Sequence, residues 1–175
     1  MKNDLIWTKT ILSVYRYLER ICGAIDKIVV QTGLNSSNIT GYNYSFNNVF
    51  AITERIIDLS ERKVTLINLK LIIEEVLSKI DEEDAQILIE KYVDSRKCKE
   101  IAEIHDVSMR TLFRKIDSAE NSFGKHLRVL GYDDKKLDKF LKNEQWIVNV
   151  YNDYSANKAE EISLSNSFLE RAASI

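Results

Sequence analysis

The chain has 175 residues, a formal net charge of −2, no proline and only five glycines. β-Sheet folds draw on both residue types for their many turns, so this composition favours an all-α fold of long helices. The weak negative charge excludes a uniformly basic surface, and any contact with nucleic acid must depend on a local cluster of cations.

The first predicted helix runs from about Asp4 to Val30. Its apolar residues recur at alternating steps of four and three, the heptad spacing of a helix that packs along another helix. Gly33 is placed to cap this helix, and the turn-forming residues between Asn35 and Gly41 predict a loop. The apolar seam consists of Trp7, Ile11, Val14, Leu18, Ile21, Ile25 and Ile28.

The second predicted helix runs from about Ser45 to Ile80, with Lys63 in one seam position. Roughly 35 residues give a rod of about 50 Å, which cannot bury its seam alone. Two arrangements satisfy the pattern: a hairpin with the first helix, or a coiled-coil dimer with a second chain. Residues 1–80 are therefore predicted to form a long, coiled-coil-like helical hairpin that dimerises or binds a partner. The seam consists of Val49, Ile52, Ile56, Leu59, Leu66, Leu69, Ile73, Val76 and Ile80.

Residues 81–130 are predicted to form a helix-turn-helix. The acids from Asp81 to Asp84 mark a helix start, because carboxylates favour the positive end of the helix dipole. A support helix then runs from Asp84 to Val93 and turns Ile87, Leu88 and Tyr92 inward.

Two further residues define the crossing of the motif. Ala102 is small where its two helices meet, and Ser108 is the expected N-cap of the second, recognition helix. The small core between the helices is predicted to contain Ile101, Val107, Leu112 and Ile116.

The N-terminal end of the recognition helix is where helix-turn-helix proteins meet base edges in the major groove. Between Val107 and Ile116 the sequence has three cations and no acid. Arg110 is the best candidate for a base contact, because arginine can bridge guanine through two hydrogen bonds. The candidates for base contacts are Met109, Arg110, Thr111 and Arg114, and those for phosphate contacts are Arg96, Lys97, Lys99, Ser108, Lys115, Lys125 and Arg128.

The stretch from Glu83 to about Leu127 resembles region four of sigma-70-type transcription factors and related phage and bacterial regulators. The resemblance is carried by Tyr92-Val93-Asp94, Glu100-Ile101-Ala102 and the run Val-Ser-Met-Arg-Thr-Leu-Phe-Arg that ends at Arg114. It covers about a quarter of the chain and implies a DNA-binding helix-turn-helix. The turn between the two helices of the motif, which usually reads Leu-Gly in these factors, differs in this chain.

The turn reads His105-Asp106 instead. Aspartate tolerates the left-handed backbone required there better than most residues. His105 replaces an apolar residue and is expected at the rim of the small core.

These features predict a sequence-specific transcription regulator that binds double-stranded DNA. A second interpretation is a divergent alternative sigma factor that contacts core RNA polymerase. Residues 1–80, however, show the heptad rod in place of the acidic, aromatic-rich region two of such factors. A third interpretation is a phage DNA-packaging protein of the small-terminase kind, although those proteins usually place the DNA-binding module first.

After a turn at Gly131–Asp134, residues 131–154 predict one amphipathic C-terminal helix and residues 155–175 a weakly structured tail. Cys22 and Cys98 are expected as free thiols. With no phosphate-binding glycine loop, no His/Cys metal set and no nucleophile–base pair, we expect no enzymatic activity, metal or cofactor. The sequence has no signal-like or membrane-spanning run, which predicts a cytoplasmic protein that does not enter membranes.

Overall fold

The computed structural model describes residues 5–37 and 46–157, and in this part of the chain every regular element is helical. The all-α prediction is confirmed. A π-helical segment, Ile89–Val93, follows α3 directly. The helices are α1 (Leu5–Ser37), α2 (Phe46–Leu77), α3 (Glu82–Leu88), α4 (Cys98–Ile104), α5 (Met109–Val129), α6 (Asp134–Leu141) and α7 (145–157).

Helices α1 and α2 pack side by side in opposite directions. Tyr15 Oη on α1 donates a hydrogen bond of 2.8 Å to Glu74 Oε1 near the end of α2. Further along α1, Asp26 pairs at 2.6 Å with Lys63, which comes earlier in α2. Residue numbers therefore rise along one helix as they fall along the other, which is the antiparallel arrangement.

Both long helices end differently from the sequence prediction. α1 continues to Ser37, so Gly33 lies inside the helix and the cap predicted there is wrong. A single glycine in a helix costs only about 1 kcal/mol relative to alanine, too little to end it. Asn35–Ser37 are helical rather than part of the predicted loop, whose remainder, 38–41, lies outside the described residues. α2 ends at Leu77, three residues before the predicted Ile80.

The predicted seam is buried over only part of the hairpin. Leu66, Leu69 and Ile73 of α2 are fully buried, whereas Val49 near its start and Ile28 of α1 are exposed. The well-packed end is the one that meets the rest of the protein, because α5 and the π-helical segment also contact α1 there. Tertiary packing, and not the heptad pattern alone, decides which seam residues lose contact with water.

A single hydrophobic core joins the hairpin to the C-terminal part of the chain. This core includes residues from both sides of residue 80, where the sequence predicted a domain boundary. Within the described residues, no helix is long and apolar enough to cross a bilayer. Buried members from five helices are Trp7, Leu18, Ile73, Phe123, Leu127, Leu141 and Ile147.

The approach of α1 to α5 depends on a glycine. Gly124 lies on the buried side of α5, opposite Thr8 of α1. A Cβ atom at Gly124 would lie 2.9 Å from Thr8 Oγ1, closer than such atoms pack. The absence of a side chain therefore lets the two helices come close together.

The C-terminal region contains two helices where the sequence predicted one. α6 and α7 are separated by Lys142–Glu144, and the buried Glu144 carboxylate makes two hydrogen bonds, of 3.0 and 3.1 Å, with Arg62 of α2. This pair holds the break against the hairpin. The predicted turn before α6 is present, with Gly131 at φ 82°. Residues 155–157 of the predicted tail belong to α7, and 158–175 lie outside the described residues.

A second buried carboxylate, Glu120 of α5, connects the hairpin to the π-helical segment. Its Oε1 accepts hydrogen bonds from Tyr92 Oη at 2.6 Å and Lys91 Nζ at 2.7 Å. Lys9 Nζ of α1 lies 3.4 Å from Oε2, which is an ion pair without hydrogen-bond geometry. Because a buried charge is stable only when paired, Glu120 fixes these three elements together.

Two tyrosines beside carboxylates make stability dependent on alkaline pH. Burial, followed by the charge of Glu120, raises the pKa of Tyr92 well above its ordinary value of 10.0. Burial and the hydrogen bond to Glu74 raise the pKa of Tyr15 to about 12. Each tyrosine ionises more readily in the unfolded chain, so its contribution to stability is complete below pH 10 and is lost as pH rises above it.

We expect the free energy of unfolding of the wild type to fall more steeply between pH 10 and 12 than that of Tyr92→Phe, which has no hydroxyl to ionise. Urea denaturation at closely spaced pH values measures both slopes. Tyr15→Phe is the matched comparison. It should reduce the slope of the unfolding free energy against pH less than Tyr92→Phe does, because Tyr15 is less buried. Equal slopes for wild type and Tyr92→Phe would contradict the buried Tyr92–Glu120 pair.

Candidate nucleic-acid interface

Helices α4 and α5 are joined by a short turn of residues 105–108. Val107 N–H donates to Ala102 O at 3.0 Å and Asp106 N–H donates to Glu103 O at 3.3 Å. Together these bonds satisfy carbonyls in the last turn of α4. They require a left-handed backbone conformation in the residue just before Val107. Asp106 takes that conformation, with φ 49°. The position usually filled by glycine is thus occupied by aspartate, as the sequence suggested.

The start of α5 has the cap that its sequence predicts. Ser108 is extended, and its Oγ accepts a hydrogen bond of 3.2 Å from Thr111 N–H. The Ser108 and Thr111 hydroxyls also lie 3.0 Å apart within hydrogen-bond geometry. Because both side chains are used inside the protein, the backbone of the first turn of α5 is firmly held.

A small core separate from the main one supports these two helices. The predicted members Ile101, Leu112 and Ile116 are buried, with Val107 partly buried at the edge. Ala102 is also buried at the crossing, and Ile87 of α3 closes the core from the other side. These buried side chains pack α4 against α5.

His105 lies at the rim of this core, where it has a polar partner. Its Nε2 is 2.8 Å from Glu90 Oε2, and Gln86 Nε2 donates to the other oxygen of Glu90 at 3.2 Å. Glu90 belongs to the π-helical segment and is itself buried. The apolar residue expected in the turn is thus replaced by a polar contact that joins the turn to the π-helical segment. The sequence of the helix-turn-helix motif did not indicate that Glu90 would be the partner of His105.

The outward face of α5 carries most of the predicted base-contact residues. Met109, Arg110 and Arg114 are exposed, whereas Thr111 is half-buried against its cap. Phe113 was given no role from the sequence, yet it is 50% exposed and lines the same groove as the two arginines. Together with Asp117, these α5 residues line a shallow groove of about 390 Å³, formed by Arg110, Thr111, Phe113, Arg114 and Asp117.

The predicted phosphate contacts differ in their surroundings. Lys115 forms an ion pair with Glu83, and Arg96 lies 3.5 Å from Asp94. These two cations are thus already paired with carboxylates of the same chain. Of the other cations predicted to contact phosphate, Lys97, Lys99, Lys125 and Arg128 have exposed side chains.

Acidic side chains border the same surface. Asp117 follows Arg114 on the outward face of α5, and Glu103 and Asp106 are exposed beside the turn. Their negative charges weaken the attraction of this surface for phosphate, and Asp117 does so directly beside Arg110 and Arg114. The sequence showed Asp117 just beyond the acid-free interval, but only the helix geometry places it among the arginines.

No group of three or more His, Cys, Asp or Glu side chains arranged to hold a metal occurs within residues 5–37 and 46–157. Cys22 and Cys98 are free thiols. Comparison of the chain with protein-family models, curated proteins and solved structures yields no match. The assignment of a role to this surface therefore depends on its own geometry.

The left-handed turn residue gives a test of the α4–α5 geometry. A left-handed conformation costs a residue with a side chain roughly 1–2 kcal/mol, a cost that glycine avoids. We expect Asp106→Gly to raise the free energy of unfolding by about 0.5–1 kcal/mol, and Asp106→Ala to lower it by about 1 kcal/mol because alanine lacks the tolerance of aspartate.

Thermal unfolding of both variants provides the measurement, and about 1 kcal/mol corresponds to a shift of roughly 2–4 °C for a chain of this size. The two substitutions remove the same carboxylate, so each controls for the lost charge of the other. A change in the same direction for both would show that the backbone conformation at Asp106 does not limit stability.

Proposed function

We propose that this chain binds double-stranded DNA with the first turns of α5 in the major groove, and that it regulates transcription through that binding. One observation carries the proposal. The N-terminal end of α5 is capped by Ser108, held on its own small core, and exposes Arg110 and Arg114 one helical turn apart. This is the position from which helix-turn-helix proteins read base edges.

The chemistry of the exposed side chains fits such a role. Arg110 and Arg114 have the planar donors that recognise guanine, and Phe113 offers an apolar surface suited to the methyl group of thymine. Lys125 lies on the same outward side of α5, just over four turns beyond Arg110, where a cation would contact the phosphate backbone. The resemblance to region four of sigma-70-type factors supports the same orientation.

Selection of duplexes from a random library, followed by titration of the selected site and of random DNA, tests the proposal. Arg110→Ala should lower the preference for the selected site by about 1–3 kcal/mol. Lys125→Ala should weaken binding to both duplexes alike and reduce the slope of log K against log salt by about 1. Asp117→Asn should tighten binding, because it removes a carboxylate beside Arg114.

Lys135→Ala is the matched control, since it removes an exposed cation from a different helix, at the start of α6. It should bind both duplexes like the wild type. If Arg110→Ala and Lys125→Ala also bind like the wild type, the groove assignment is wrong. Capture of core RNA polymerase by the wild-type chain would instead support the alternative sigma factor.

We further propose that the regulator is a homodimer joined through the outer face of α2. Phe50, Ile57, Val64 and Leu71 recur every seven residues on this helix, and each side chain is between 52 and 59% exposed. They lie opposite the seam covered by α1. A second copy would cover this outer stripe with the same spacing, which is the pattern of a self-pairing coiled coil.

Val64→Glu should convert a dimer of about twice 20.3 kDa to a monomer in light scattering behind size exclusion, because it places a charge in the centre of the outer stripe. Val30→Glu is the matched control, as Val30 is an equally exposed valine on α1 outside the stripe. A monomeric wild type at tens of micromolar, or dissociation by both variants, would contradict the interface. A large ring would favour the DNA-packaging interpretation.

A further inference from the structure

A groove to which α2 contributes no residue has the features of a small-molecule site. It has a volume of about 650 Å³, within the range of roughly 300–1,000 Å³ typical of ligand pockets. One wall is the first half of α1, a second is the π-helical segment with the turn at Ser95, and a third is α7. It contains none of the residues proposed to contact DNA.

Among the residues that the structure describes, three cations and no carboxylate line this groove. Arg16 and Arg20 both lie against the ring of Tyr17, with guanidinium carbons 4.9 and 5.5 Å from its centre. Such cation–π contacts orient the two arginines. Arg16 Nη1 donates to Ser95 Oγ, and the remaining guanidinium N–H groups can donate to an anion. Lys91 is already paired with Glu120, so the uncompensated positive charge of the groove comes from the two arginines. Paired arginines are well suited to phosphate oxygens.

The remaining surface of the groove combines aromatic and aliphatic side chains. Tyr92 is buried in its wall, and Trp146 is fixed by a hydrogen bond of 3.0 Å from Nε1 to Glu144. Tyr154 is held by a hydrogen bond of 2.7 Å with Ser13. Flat rings with fixed orientations stack favourably on planar heterocycles, largely without regard to which base is present.

We propose that this groove binds a nucleoside monophosphate, with the phosphate on Arg16 and Arg20 and the base against the aromatic rings. Two neighbouring arginines alone would suit any anion, and the rings alone any planar molecule. Their presence in one groove selects a ligand that carries both groups. Ser95 also lines the groove, and its Oγ accepts a hydrogen bond from Arg16 Nη1. The ligand would therefore contact α1 and the turn before α4 together.

Isothermal titration of the full chain with AMP, GMP, CMP and UMP tests this assignment in the absence of DNA. At least one mononucleotide should bind one to one with a dissociation constant below about 1 mM, which corresponds to about −4 kcal/mol. The matching nucleoside and inorganic phosphate should each bind at least about tenfold more weakly, since each lacks one of the two recognised groups.

Arg20→Ala should weaken the mononucleotide at least about tenfold, because it removes one of the two arginines. Arg55→Ala, an exposed arginine on α2, and Arg110→Ala should bind like the wild type. The proposal is overturned if no mononucleotide binds, if phosphate alone binds as tightly, or if Arg110→Ala abolishes binding. The first outcome would leave the proposed DNA binding untouched, since no DNA is present in this assay.

Discussion

The pairing of a buried carboxylate controls how the parts of this protein meet. Glu120 has no exposure to water and is neutralised from two sides, by Lys91 of the π-helical segment and by Lys9 of α1. An unpaired charge in that place would cost several kcal/mol. The second half of α5 is therefore held in one position relative to the hairpin. The first half of α5 extends from this anchor to the small core it shares with α4.

Much of the helical framework follows from local patterns. The alternating three- and four-residue spacing on α1 and α2 identifies one face of each helix, and residues such as Leu18 and Ile73 are buried as that periodicity requires. Ser108 and the small core of the α4–α5 pair are equally local, because an N-cap and two crossing helices depend on residues close in sequence. The left-handed Asp106 belongs to the same class.

The buried acids show where such reasoning stops. Glu120 lies at core spacing from Ile116 and Phe123, so its position on the helix was readable, but its partners come from distant parts of the chain. Glu144 looks like an ordinary surface acid, and the cation that pairs with its buried charge is Arg62, 82 positions away. The ion pair of Lys115 with Glu83 likewise depends on the packing of α3 against α5. Side chains with tertiary partners leave little signal in a local pattern.

Helix α5 belongs to two cores at once. Its 21 residues correspond to a rod of about 30 Å. Near one end are Arg110 and Arg114, and near the other is the glycine that brings α5 against α1. Gly124 and Arg110 are 14 residues apart, about 21 Å along the helix, so a tilt of about 5° at Gly124 moves Arg110 by about 2 Å, more than half the length of a hydrogen bond. The close contact at Gly124 thus helps to set the position of the two arginines. A change in packing at this contact would displace them, although it lies far from the exposed face.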